Sequence, residues 1–184
     1  MFVHFLASSS LNVATKLVLT GFGECQYVHL YDARQYGAGG FAELQVQQNA
    51  LEKAIQMQGS VSPERALELS KAKWHSLSFN SSGNQLIAGA EQGMSIVLDG
   101  FEATVQRVFC SAIPTDRPAV SCFTPDDGTV LAGTGDGSIL CYNVETGSVV
   151  KKLEGHSAPV GCMQPNPRYA QFASCCTNTA LWTW

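Results

Sequence analysis

The chain has 184 residues, a formal net charge of −4 and 45% hydrophobic residues, enough for a sizeable core within one domain of roughly 150 residues or a little more. A chain that is not basic argues against a nucleic-acid sheath, which needs clustered cations to neutralise phosphate. Charged residues make up 14%, against about 25% in an ordinary soluble domain, which argues against disorder and points to a surface partly covered by other groups.

In chain order, Met1-Phe2-Val3-His4-Phe5-Leu6 is apolar but short and lacks a basic flank. It reads as a strand and not as a signal peptide. No apolar run approaches the ~20 residues of a membrane helix. From there a repeat governs the text. Phe79 and Phe123, Gly93 and Gly137, and Leu98 and Tyr142 are each 44 residues apart. Between these marks a strand (Trp74 to Phe79, then Ala119 to Phe123) meets a polar turn (Asn80 to Gly83, then Thr124 to Gly128). A small-residue strand follows (Gln85 to Ala90, then Thr129 to Thr134), then a tight turn and a third strand ending in a bulky residue plus Asp or Asn. Thr104 to Cys110 and Ser148 to Leu153 complete the two units as fourth strands. Asn, Asp, Gly and Pro at these points are hairpin punctuation.

Upstream, Tyr31-Asp32 falls into the same frame once residues 48–70 are set aside. Downstream, Trp182 lies 40 residues after Tyr142. A period of about 40–45 residues with four strands each is the signature of a β-propeller. The expected fold is therefore all-β, with about four blades of four antiparallel strands at 1–47, 71–110, 117–153 and 155–184. The chain would stop inside the last blade.

Residues 48–70 have no counterpart in the repeat. Leu51, Ala54, Ile55 and Gln58 follow helical spacing. Ser62-Pro63-Glu64-Arg65 reads as an N-cap with Pro at the first helical position, and Leu67 to Leu69 completes a short second helix. The segment is expected to be a solvated excursion on the rim, with a docking element as the alternative. Ser62-Pro63 also has the form of a proline-directed phosphorylation site.

The chemistry-bearing residues point away from catalysis. His156 with Ser174 invites a hydrolase reading, but no Gly-x-Ser-x-Gly elbow occurs. Gly133-Thr134-Gly135-Asp136-Gly137 lacks the Lys-Ser/Thr of a phosphate loop and reads as a hairpin turn. Asp126-Asp127 lies in a Pro-Asp-Asp-Gly turn and is expected to be solvated rather than catalytic. The cysteines are seven, an odd number, with no CxxC pair and no zinc spacing. Neither a disulfide framework nor a metal or other cofactor is expected, and a reducing compartment is favoured. Of the vicinal pair Cys175-Cys176, adjacent strand residues point to opposite faces, so one is expected in the core and neither need be reactive.

Gly155-His156 opening the last unit and Trp182 closing its third strand resemble the Gly-His…Trp-Asp pattern of WD40 repeats. The resemblance implies a buried polar relay of His156, Ser174, Asn178 and Trp182, in which each group satisfies another that would be costly to bury alone. The pattern Asn166-Pro167…Phe172-Ala173-Ser174…Asn178…Ala180…Trp182 is similar to the C-terminal blade of the Swd-two type. That type is the WD-repeat subunit of COMPASS-type histone-lysine methyltransferase complexes. Val28 to Arg34 and Phe123 to Asp126 also resemble it.

The resemblance implies a nuclear, non-catalytic adaptor. Its partners would be a methyltransferase complex or a phosphatase-targeting subunit, with a link to the phosphorylated C-terminal repeat of RNA polymerase II in transcription termination. It implies no direct contact with nucleic acid or membrane. Propellers of this type have seven blades, so the four here would be the C-terminal part, and a truncated product is expected. A competing reading comes from Tyr31-Asp32-Ala33-Arg34, which is similar to the Trp-Asp-x-Arg box of substrate receptors for cullin-type ubiquitin ligases. Asp32 and Arg34 would then contact the ligase adaptor.

Overall fold

A computed structural model describes residues 3–4, 16–21, 27–57, 61–111, 115 and 117–183. Strands β1 (Val3–His4), β2 (Lys16–Gly21), β3 (Tyr27–Asp32) and β4 (Ala42–Gln45) pair in sequence order as the first sheet. Helices α1 (Gln48–Met57) and α2 (Pro63–Ser70) follow. The second sheet is β5 (Trp74–Phe79), β6 (Gln85–Ala90), β7 (Met94–Asp99) and β8 (Val105–Cys110). The third is β9 (Ser121–Phe123), β10 (Thr129–Gly133), β11 (Ile139–Asn143) and β12 (Val149–Leu153). The fourth holds β13 (Cys162–Pro165), β14 (Gln171–Cys175) and β15 (Thr179–Thr183). Every pairing is antiparallel between neighbours in sequence. These are the sheets of a propeller, arranged as an open arc.

The alternation of side chains along each strand explains why these sheets stack. In the second sheet Leu86 pairs with Leu98 and Ala88 with Ile96. These residues face the core that includes Val28 and Leu30 of the first sheet. One residue along, Ile87 pairs with Val97, and both point the other way, into a cluster with Phe123, Val130 and Tyr142 of the third sheet. Two buried faces make these strands nearly continuous apolar runs, because the period-2 pattern has no solvent side to show. The third sheet repeats the device. Leu131, Ile139 and Cys141 pack against Val160, Met163 and Phe172 of the last unit. Phe109 and Tyr142 join the second and third sheets with ring centroids 4.5 Å apart.

The segment 48–70 is not a solvated excursion. Leu51, Ile55 and Ala66 are wholly buried, and Leu69 nearly so, in the same core as Val28, Met94, Ile96 and Val108. Helix α1 lies against β8 and α2, so the hairpin adds an apolar layer beside the outer strand of the second sheet. Ser62 caps α2, its Oγ accepting from the Arg65 N–H at 3.3 Å, with Pro63 at the first helical position. The carboxylate pair Asp126-Asp127 is bonded within its own turn and to a neighbouring one. Asp126 accepts from the Thr124 hydroxyl at 2.5 Å. Asp127, in a left-handed conformation (φ 59°), accepts from the Ser81 and Ser82 N–H groups at 2.7 and 2.9 Å. It thereby ties a turn of the third sheet to one of the second.

Candidate functional site

The last sheet carries a polar chain in an otherwise apolar interface. Ser174 on β14 is 1% exposed and His156 is 9% exposed. The Trp182 indole N–H on β15 donates to Ser174 Oγ at 2.6 Å, and Ser174 Oγ lies 2.6 Å from His156 Nε2. An indole nitrogen can only donate, so the serine oxygen accepts there. The hydroxyl proton then goes to Nε2, leaving Nδ1 as the imidazole N–H. That N–H faces Cys176 Sγ at 3.0 Å. Every polar atom in the line has a partner, as burial requires.

Local sequence sets this geometry. Gly155 lies against the Trp182 indole; a Cβ at residue 155 would stand 2.8 Å from the indole Cη2. That contact is why a glycine precedes the histidine. Trp182 also stacks on Phe172, with centroids 5.8 Å apart and planes 11° apart. Gly137, with φ +87°, brings the β10–β11 turn against the chain just before β13; a Cβ there would meet the Ala158 carbonyl at 2.8 Å.

The residues expected to act together are only partly brought together. His156, Ser174 and Trp182 form one chain. Asn178 stands apart: it is exposed, and it gives its backbone N–H to Cys176 Sγ at 3.4 Å. The sulfur of Cys176 occupies the place at Nδ1 that the resemblance gives to a turn Asp or Asn. The same turn shows why. Counting back six residues from Trp182 gives Cys176, and six from Tyr142 gives Asp136; counting back eight gives Ser174 and Thr134. Repeat spacing alone could have found Cys176.

Electrostatics separates the cysteines. The Asn178 N–H, the Thr177 hydroxyl and His156 hold the Cys176 thiol down at about 6. Burial pushes Cys122 up to about 12 and Cys110 to about 11, and raises Cys141 and Cys162. The described cysteines are free thiols. The Thr134 hydroxyl, the Ser138 N–H and, more weakly, Lys152 hold Asp136 at about 2.

Ser174 Oγ is buried and bonded on two sides, so it offers no nucleophile to a substrate. The 133–137 segment closes a hairpin, with the Gly137 N–H on the Thr134 carbonyl at 3.2 Å. Asp32 ends β3 and Arg34 lies in the 3-10 segment Ala33–Ala38; their side chains lie outside the described residues. Among the described residues no three His, Cys, Asp or Glu side chains gather to hold a metal, and no helix is long and apolar enough to cross a membrane.

Residues 147–184, from β12 through the fourth sheet, match the family description "WD domain, G-beta repeat". The match begins just before the outer strand of the third sheet, so the matched segment spans parts of two neighbouring sheets. The chain is 28% identical over 158 residues to "WD repeat-containing protein 82" of Drosophila melanogaster, covering 84% of this chain and 43% of that protein. It is 28% identical over 111 residues to "Protein ANTHESIS POMOTING FACTOR 1" of Arabidopsis thaliana, covering 60% of this chain and 34% of that one. The chain thus spans about two fifths or less of these relatives' length. A chain of the "Crystal Structure of Mitotic Checkpoint Complex" has the same fold, with a TM-score of 0.62 at 14% identity, over 92% of this chain and 45% of that one.

Proposed function

We propose that this chain is a non-catalytic scaffold subunit of a nuclear chromatin and transcription complex. The complex would be one that methylates histone lysine, or one that recruits a phosphatase to RNA polymerase II at termination. The observation that carries the proposal is the likeness over 84% of the chain to a protein named for its WD repeats, together with a last blade whose His156, Ser174 and Trp182 are spent on holding the sheet. Rigid sheets whose turns are pinned, as Asp127 pins 81–82, display loops for several peptide partners. A net charge of −4 suits protein partners better than nucleic acid. Tagged protein recovered from nuclear extract should bring down a methyltransferase subunit or a phosphatase-targeting subunit. Recovery of a cullin adaptor in their place, lost on Arg34→Ala, would establish the ligase-receptor reading and end this one.

A further inference from the structure

Proline directly follows a hydroxyl side chain at two places in the chain, Ser62-Pro63 and Thr124-Pro125. A kinase that requires proline there meets both in the sequence, and the fold separates them. Thr124 is 4% exposed. Its Oγ1 donates to Asp126 Oδ1 at 2.5 Å and accepts from the Thr129 N–H at 3.1 Å, inside the β9–β10 turn. Two carboxylates, Asp126 and Asp127, follow its proline. Ser62 is exposed, and so are Pro63, Glu64 and Arg65. Here a cation, Arg65, stands three residues after the hydroxyl.

The backbone around Ser62 suits entry into a kinase cleft, where the acceptor oxygen must come into line with the transferred phosphorus. Ser62 is already extended, with φ −64° and ψ 153°. Pro63 to Arg65 form the first turn of α2, tied to Ser62 by the Ala66 N–H on its carbonyl at 2.9 Å and the Arg65 N–H on its Oγ at 3.3 Å. Val61 and Ala66 pack on the core, and the four residues between them do not. Peeling that turn away therefore uncovers no buried side chain, and helix ends open at low free energy. The Arg65 guanidinium meets Glu68 at 2.9 Å, with both side chains largely exposed. A pair so exposed is weak, so the acidic lining of a kinase cleft can take Arg65 over.

We propose that Ser62 is the acceptor site of a proline-directed serine/threonine kinase that reads Arg65 as its basic determinant. Ser62 Oγ attacks the γ-phosphorus of ATP. A P–O bond to Oγ forms as the bond from that phosphorus to the β–γ bridging oxygen breaks, and ADP leaves with the electron pair. The hydroxyl proton passes to the catalytic aspartate of the kinase. The product places a phosphate at the start of α2, where the positive end of the helix accommodates negative charge. Its acidic neighbours on the helix, Glu64 and Glu68, are exposed to water. The fold is kept while the surface of the hairpin gains negative charge. The site does not depend on which complex the chain joins.

The test uses the full chain, ATP and a purified kinase with both preferences, proline next to the acceptor and a basic residue three positions on. Fragmentation mass spectrometry should place phosphate on Ser62 and leave Thr124 bare. R65A should lower kcat/KM roughly tenfold, the loss expected for one contact to a charged group. R65K should restore most of the rate, and K53A, a charge removed from the exposed side of α1, should leave it unchanged. S62A should take no phosphate in the peptide that holds residue 62. Should S62A fail to fold without its cap, S62T keeps both the cap and the acceptor and should be phosphorylated at residue 62. Phosphate on Thr124 and not on Ser62, phosphate on neither, or R65A modified at the wild-type rate would overturn the proposal. Mapping on the unaltered chain decides even if no variant folds.

Discussion

Trp182 contributes to the last blade in two separable ways, as a ring stacked on Phe172 and as the donor to Ser174. W182F keeps most of the stack and removes the donor, so it should cost about 1 kcal/mol, the usual net worth of one hydrogen bond. W182A loses both and should cost about 3 kcal/mol, the lower end for a truncated aromatic, because the ring is only partly buried. Urea denaturation of the two variants separates the terms; equal losses would mean that the stack contributes nothing. The Asp136 turn gives a second residue-scale expectation, in pH. Asp136 has its carboxyl depressed to about 2, below its unfolded value, so its contribution is present above pH ~4 and disappears as pH falls from there through 2. D136N should flatten the acid limb of a stability–pH curve over that window, and an unchanged limb would remove Asp136 from acid unfolding. At this scale His156, Ser174 and Trp182 were legible through the resemblance of Gly155-His156 and Trp182 to the Gly-His…Trp-Asp pattern of WD40 repeats. Cys176 was legible only by its repeat spacing to Asp136, since a thiol in the place of an aspartate keeps the hydrogen-bonding position and discards the familiar letter.

The α1–α2 hairpin shows what a pattern of residues can and cannot say. Helical spacing of Leu51, Ala54 and Ile55, and the Ser62-Pro63 start, located both helices closely; α1 ends at Met57 and α2 at Ser70. An apolar stripe shows that one face is covered but not by what, and a solvated rim was the wrong destination. The buried stripe faces the core shared by the first two sheets. I55A should therefore cost about 3 kcal/mol, as expected for a fully buried aliphatic side chain. I55A and a surface control on the same helix, K53A, can be compared by thermal unfolding. Equal small losses would return the hairpin to the rim. The strands were easier, because hairpin turns punctuate them and period-2 alternation on two buried faces leaves long apolar runs such as Gln85–Ala90.

Across the whole molecule, each sheet is held by its neighbours in sequence, so stability is close to a sum of sheet and interface contributions. The second sheet has apolar contacts on both faces. The fourth packs on the third with one face, through Met163 and Phe172, while Leu181 on its other face is 84% exposed. Sheets with one interface open more readily than sheets with two, and amide exchange reads that difference directly. Peptides covering β14 (171–175) should exchange well before those covering 85–99, although β14, β6 and β7 are each paired on both sides. Equal protection of both regions at low protein concentration would mean that the strands' own pairing, and not the stacking of sheets, sets their stability. The 44-residue repeat would then describe the strand order without describing what holds the sheets together.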